Sequence, residues 1–433
     1  MIINYKAIGE SQYPSVLRSG IVFNYIMTLV LSFVELTPYL SRNTSGTFQL
    51  AIFFLWFFSL FCISDYKELF NSKLFLIPTM ILLCQLVMLF IGLSNVSFFS
   101  LVLRSRLYYI PLGMQIMLST YSKKSSGQIA YWIACIYLFN LFFNIYLFQF
   151  GIVSNTISLG DATLGASARH TNAGDTSFCF LVSLFILYSV FLITKGNVKE
   201  KLCGAILIVS SAWYLFFLNS RAISIIILMI SAYVYLCQLF VTNRKHISKG
   251  FRLIIILLLS IALLYNLSLI LSLLGSVKGN DWMGDKMRDL GVVLSGGGLG
   301  THGSLAIRFT LYGYALNSWF STPLTFLIGI GEHSFVTASR YYLKIVGISG
   351  HSDIFDYAAQ YGILGLYLLF RLYCGAFGEI QKYARTKKVV IVIVAVMFVM
   401  YGFLNRFTYG NIFVAVFLLG PMYLKSISKI EDL

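Results

Sequence analysis

The chain has 433 residues, of which 58% are hydrophobic and 11% charged, and its mean hydropathy is +0.82. A soluble domain carries roughly 25% charged residues, so this composition excludes an ordinary water-soluble fold and selects a polytopic membrane protein. The formal net charge of +16 does not point to nucleic acid, because most basic residues sit in short loops between apolar runs, where they set topology and meet anionic headgroups.

The apolar runs are long and lack period-2 alternation, which favours helices over a barrel. The expectation is an all-α polytopic membrane protein with about twelve transmembrane helices. They fall at residues 20–40, 48–64, 74–94, 107–120, 129–150, 176–194, 202–218, 222–241, 253–274, 354–373, 389–404 and 411–424. The fourth is short and admits an earlier start near Phe98, which would carry Arg104 and Arg106 into the membrane. The first 19 residues are mixed polar and the first apolar run is long, so no cleavable signal peptide is expected.

Alternate short loops are rich in Lys and Arg, among them Lys123 and Lys124, then Arg244, Lys245 and Lys249, then Lys382, Arg385, Lys387 and Lys388. Lys6, Arg18, Lys425 and Lys429 near the termini fall on the same side, whereas the opposite short loops, apart from Arg104 and Arg106 just before the fourth span, hold only Arg42, Arg169, Arg221 and Arg406. The positive-inside rule then puts both termini in the cytoplasm. Residues 1–275 hold the first nine spans, with a first periplasmic loop at 151–175. Residues 276–353 form a large, partly helical periplasmic loop before the tenth span, and 354–433 hold the last three. Connections this long are usually functional or disordered.

Residues 350–369 read GHSDIFDYAAQYGILGLYLL, a polar cluster at the mouth of an apolar helix. His351, Ser352 and Asp353 suit either a helix cap or chemistry at the water-facing end. Gly362 and Gly365, spaced three apart, would share a helix face and admit a close neighbouring helix. Gly298-Leu-Gly300-Thr-His-Gly303 matches a dinucleotide-binding pattern, but no strand–helix unit surrounds it. The histidines show no metal-ligand spacing, and the seven cysteines lie in or beside apolar runs without a C-x-x-C pair; neither metal nor cofactor is expected.

Four arginines on the side opposite the termini are candidates for anion binding: Arg169 in the first loop, Arg221 in LNSRA, Arg308 in the helical pattern SLAIRFTLYGYAL, and Arg340 beyond it. Each suits either snorkelling to headgroups or bidentate binding of phosphate oxygens. Trp282, Trp319 and Tyr357 suit either packing or stacking on sugar rings.

In order, LNSRA, Arg308, LIGIGEHSF at 327–335, and His351-Ser352 followed by Gly362-Ile-Leu-Gly365 resemble the pattern of Wzy-type O-antigen polymerases and O-antigen ligases. ARHTNAGDTSF at 168–178 is similar to that family's arginine-then-asparagine segment. The family's proline in the first loop and its R-x10-G pattern are absent. The resemblance implies a metal-independent glycosyltransferase of a bacterial inner membrane, without nucleotide or other cofactor. Such an enzyme joins oligosaccharide repeat units carried on undecaprenyl diphosphate at the periplasmic face. His351 would be the general base, Arg221 and Arg308, then Arg169 and Arg340, would hold the diphosphate, and Asp353 would contribute to substrate binding. The partners implied are the lipid-linked oligosaccharide, membrane lipids and a chain-length regulator protein, with no nucleic acid. An O-antigen ligase shares the same motifs. A polysaccharide transporter, expected to carry functional charges near the bilayer midplane, has Arg371 as its main interior candidate. A non-enzymatic scaffold is the remaining alternative.

Overall fold

The computed structural model describes residues 15–37, 44–94, 96–149, 182, 185, 189, 193, 198–214, 304–332, 352–383 and 413–426. Every regular element among them is helical. We number these α1 (Ser15–Leu36), α2 (Gly46–Phe61), α3 (Tyr66–Asn71), α4 (Lys73–Phe90), α5 (Phe98–Ser105), α6 (Ile110–Thr120), α7 (Lys123–Gln149) and α8 (Val198–Trp213). Then come α9 (Ser304–Trp319), α10 (Pro323–Ile328), α11 (Asp353–Tyr383) and α12 (Gly420–Ser426), the last preceded by a π turn at Ala415–Leu419. Among the described residues, four stretches are long and apolar enough to cross a membrane: Ser19–Leu36, Lys73–Phe90, Lys123–Phe143 and Ile354–Tyr383. The expected spans at 222–241, 253–274 and 389–404 lie outside the described residues, as does most of 176–194.

Two compact units divide the chain, Met1–Asn140 with Leu311–Leu433, and Leu141–Thr310. In the second, α8 buries Leu207. The interior of the first unit is largely apolar but holds a set of buried polar residues, and its surface carries many apolar side chains. Asn24, Thr28, Ser32, Ser59, Gln85, Ser105 and Asn140 are buried, whereas Phe54, Phe58, Leu83, Val87 and Phe90 are exposed. Water would penalise such an exposed apolar surface, and lipid would not.

Small residues and hydrogen bonds set the seams. In the α1–α2 contact, Asn24 donates to Ser59 Oγ at 2.7 Å and Trp56 Nε1 donates to Thr28 Oγ1 at 3.1 Å. Trp56 is fully buried and lies where a side chain at Gly113 of α6 would stand. At the other end of α6, buried Lys425 donates to the Leu118 carbonyl at 2.7 Å and to that of Tyr121, satisfying carbonyls that a helix C-terminus leaves open.

The fourth span takes the longer form. Ser97 caps α5, a 3₁₀ turn follows at Arg106–Tyr109, and α6 continues to Thr120. The tight turn sits where Pro111, near the start of α6, has no N–H for the preceding helix and would crowd its carbonyls. Residues 98–120 are thus helical throughout. Arg104 and Arg106 lie within this run.

The tenth span departs from expectation. The helical run Asp353–Tyr383 covers 31 residues but breaks at Gly362, which has φ 63° and ψ −165°. Residues 356–362 are continuously buried, whereas Ile363, Leu364, Tyr367 and Phe370 beyond the break are exposed. The stretch from Ile363 to Tyr383 rises about 30 Å and is long enough to cross a bilayer core by itself. The N-terminal segment, Asp353–Tyr361, is a separate half-helix buried from Asp356 onward.

Candidate functional site

This N-terminal half-helix starts at a side-chain cap. Ser352 is buried, its Oγ accepts from the Phe355 N–H at 3.2 Å, and its carbonyl accepts from the Asp356 N–H at 3.0 Å. Ser352 therefore fills the capping role foreseen for this cluster. Asp356, one turn on, is 2% exposed.

At its other end the half-helix is locked by residues 327–331. The break at Gly362 removes helical partners from the last carbonyls of the half-helix. Two of them find new donors: Ile330 N–H to the Ala359 carbonyl and Gly331 N–H to the Gln360 carbonyl, each at 2.9 Å. Non-helical backbone inside a membrane protein is tolerated where such partners exist. The approach is glycine-dependent on both sides. A Cβ at Gly329, φ 80°, would meet the Gln360 carbonyl, and one at Gly362 would meet the Leu327 carbonyl. The expected Gly362/Gly365 contact face is thus corrected. Gly362 is not helical; it does admit a close neighbour, the C-terminal end of α10 at Leu327–Ile328, but a Cβ at Gly365 would meet Tyr361 across the break, so the two glycines do not share one contact face.

Glu332 follows this stretch and anchors a polar chain across three helices. It is 5% exposed, and its Oε1 accepts from Arg104 Nη1 at 2.5 Å. Its Oε2 accepts from Tyr361 Oη at 2.6 Å. Tyr361 Oη accepts from Gln85 Nε2 at 3.0 Å, and Gln85 Oε1 accepts from Ser105 Oγ at 2.5 Å. The Glu332 N–H is satisfied by Ser94 Oγ at 2.9 Å. Both carboxylate oxygens are occupied, and the arginine balances the charge, as a buried carboxylate requires. A second buried pair joins Arg106 to Glu35 at 2.8 Å, with Gln49 accepting from the same nitrogen at 3.1 Å.

The half-helix meets α9 on a different face. Tyr312 packs on Phe355 with ring centroids 5.1 Å apart, and Ala315 packs with Ala359. This order, 312 with 355 and 315 with 359, means that the two helices run in the same sense at this contact. Arg308 stands one helical turn before Tyr312 on α9; Asp353 is the first residue of α11. The side chains of these two are not among the described ones, and His351, Arg169, Arg221 and Arg340 lie outside the described residues, as does Trp282. Trp319 and Tyr357 are packing residues: Trp319 stacks on Phe326 and donates to its carbonyl at 3.0 Å, and Tyr357 sits between Tyr108 and Tyr361.

Sequence reasoning missed Glu332, Tyr361 and Gln85, and noted Arg104 only as a possible membrane residue. A signal was present, because Gln85 is an isolated polar residue in LLCQLVM and Glu332 the sole acid in LIGIGEHSF. Compared with known proteins, the chain matches no family model and no curated sequence.

Proposed function

We propose that this protein is an O-antigen polymerase. In this reading it joins oligosaccharide repeat units carried on undecaprenyl diphosphate at the periplasmic face of a bacterial inner membrane, with both termini in the cytoplasm. One observation carries the reading. LIGIGE and the stretch from Ser352 to Gly365, two members of the ordered motif set that lie apart in sequence, interlock through the backbone at Gly329 and Gly362. The half-helix they build starts two residues after His351, the group assigned the proton from the acceptor hydroxyl. An unperturbed imidazole titrates near ~6.5 and suits that task. The leaving lipid diphosphate carries roughly two to three negative charges, and Arg221 and Arg308, with Arg169 and Arg340, are assigned to it. Asp353 is assigned to substrate binding.

The lipopolysaccharide ladder of a deletion strain tests this directly. A polymerase leaves core carrying a single repeat unit, restored to a full ladder by the wild-type chain. Core with no O-antigen would instead identify a ligase, and failure of repeat units to cross the membrane a transporter.

A further inference from the structure

The segment from Leu311 to Gly331 contains no Asp, Glu, Lys, Arg or His, although the pattern of spans puts it in a water-exposed loop. In the structure it is a helical hairpin: α9 runs to Trp319, the chain turns at Phe320–Thr322, and α10 returns. We propose that the tip of this hairpin is seated in the bilayer, at the headgroup–acyl boundary of the leaflet at the Ser352 end of α11; this does not depend on the polymerase reading. The apolar side chains of the tip stand exposed. Phe320, Leu324 and Leu327 are 60%, 62% and 53% exposed. Phe320 joins Trp319 and Phe326 in one aromatic cluster, with ring centroids 4.7, 5.5 and 5.7 Å apart. Water would penalise that surface.

The level of the tip follows from its packing. α9 and the half-helix run in the same sense with Ala315 against Ala359, so at equal rise Trp319 comes level with Ile363. α10 ends against Gly362, where a side chain would meet Leu327 and Ile328. Both limbs therefore reach the point at which α11 passes from buried Gly362 to the exposed apolar side chains of Ile363, Leu364 and Tyr367. The tip is thus continuous in depth with the start of a stretch long enough to cross the bilayer. Its polar groups are also closed on themselves. Ser318 Oγ donates to the Tyr314 carbonyl at 2.9 Å, Ser321 Oγ to that of Ser318 at 2.9 Å, and Thr325 Oγ1 to that of Thr322 at 2.8 Å. The Thr322 N–H donates to Thr325 Oγ1 at 2.9 Å and the Thr325 N–H to Thr322 Oγ1 at 3.1 Å. Lipid offers no such partners, so a segment facing it supplies its own, whereas a turn in water has no need to. Tryptophan, phenylalanine and the exposed Asn317 together suit the interface rather than the bilayer centre, and insertion by about 5–10 Å buries the exposed set.

The test begins with the wild-type chain in nanodiscs of phosphatidylcholine and phosphatidylglycerol that include a phospholipid with a diazirine on its acyl chain. After irradiation and digestion, adducts should appear on residues 320–328 at a yield within about threefold of that on residues 363–370. No substitution is needed for this arm, so folding of a variant does not enter. In a background without the native cysteines, single nitroxide labels at Phe320→Cys, Leu324→Cys and Leu327→Cys are then compared for collision with oxygen, which concentrates among acyl chains, and with a water-soluble nickel chelate. Oxygen should dominate at all three, as at Phe370→Cys, and nickel at Lys382→Cys. Absence of acyl-chain adducts on 320–328, or dominance of nickel at the tip, places it in water and overturns the inference. Weak collision with both reagents also overturns it, because the tip is then covered by protein, either a second copy or another partner.

Discussion

Replacing Gly362 by alanine tests the broken helix most sharply, because opposing effects can be weighed from the structure. Alanine favours a continuous helix by about 1 kcal/mol over glycine. Against this, φ 63° with ψ −165° is a backbone region essentially reserved for glycine, and a side chain there costs roughly 1–3 kcal/mol. The new Cβ also meets the Leu327 carbonyl. Straightening the helix to escape would strip the Ile330 and Gly331 N–H groups of their acceptors, at roughly 1–3 kcal/mol for each buried group left unpaired. Every route is unfavourable, and the net loss is about 2–5 kcal/mol. Gly378→Ala is the matched control, because nothing stands within 4 Å of its added Cβ. Heating in detergent, followed by size-exclusion chromatography, should give a clearly lower midpoint for Gly362→Ala than for wild type. Gly378→Ala should match or exceed wild type. Equal midpoints for the two variants would refute the break.

The buried Arg106–Glu35 pair gives a second prediction. Glu35→Ala strands a cation and should destabilise by about 3–5 kcal/mol, whereas Glu35→Leu with Arg106→Met should recover most of the loss, read by the same heating assay. Arg221→Ala and Arg308→Ala should abolish ladder formation while the protein stays in the membrane. Lysine should rescue only in part because it loses the planar fork. Elongation of lipid-linked repeats should persist in excess chelator; activity lost and then restored by zinc or magnesium would contradict the assigned chemistry. Cysteines at 295 and 333 should react with impermeant maleimide in cells whose outer membrane admits it, and a cysteine at 248 only after the inner membrane is permeabilised.

The helices were legible because apolar length alone defines them. The run from Phe98 could be read in advance, as could the helix carrying Arg308 and the cap at Ser352. The break at Gly362 was not. The sequence on both sides of it is strongly helical, and G-x-x-G reads equally well as a helix-contact face. What distinguishes the two is the stretch Leu327–Gly331, some thirty residues upstream, whose amides replace the lost helical donors. The Glu332 clamp was hidden for a related reason. Its arginine lies 228 residues away in sequence and its tyrosine 29, so no local spacing announces the pair. Isolated polar residues in apolar runs were the available signal, and each becomes interpretable only once its neighbour is known.

The central claim is that His351 takes the proton from the acceptor sugar as repeat units are joined. The direct measurement is single-turnover elongation by purified wild-type and His351→Gln protein, supplied with undecaprenyl-diphosphate-linked repeats. Glutamine keeps hydrogen-bonding capacity and removes basicity, so the account predicts a rate about 10²–10⁴ lower with donor binding retained. A His351→Gln protein that elongates at the wild-type rate would contradict it.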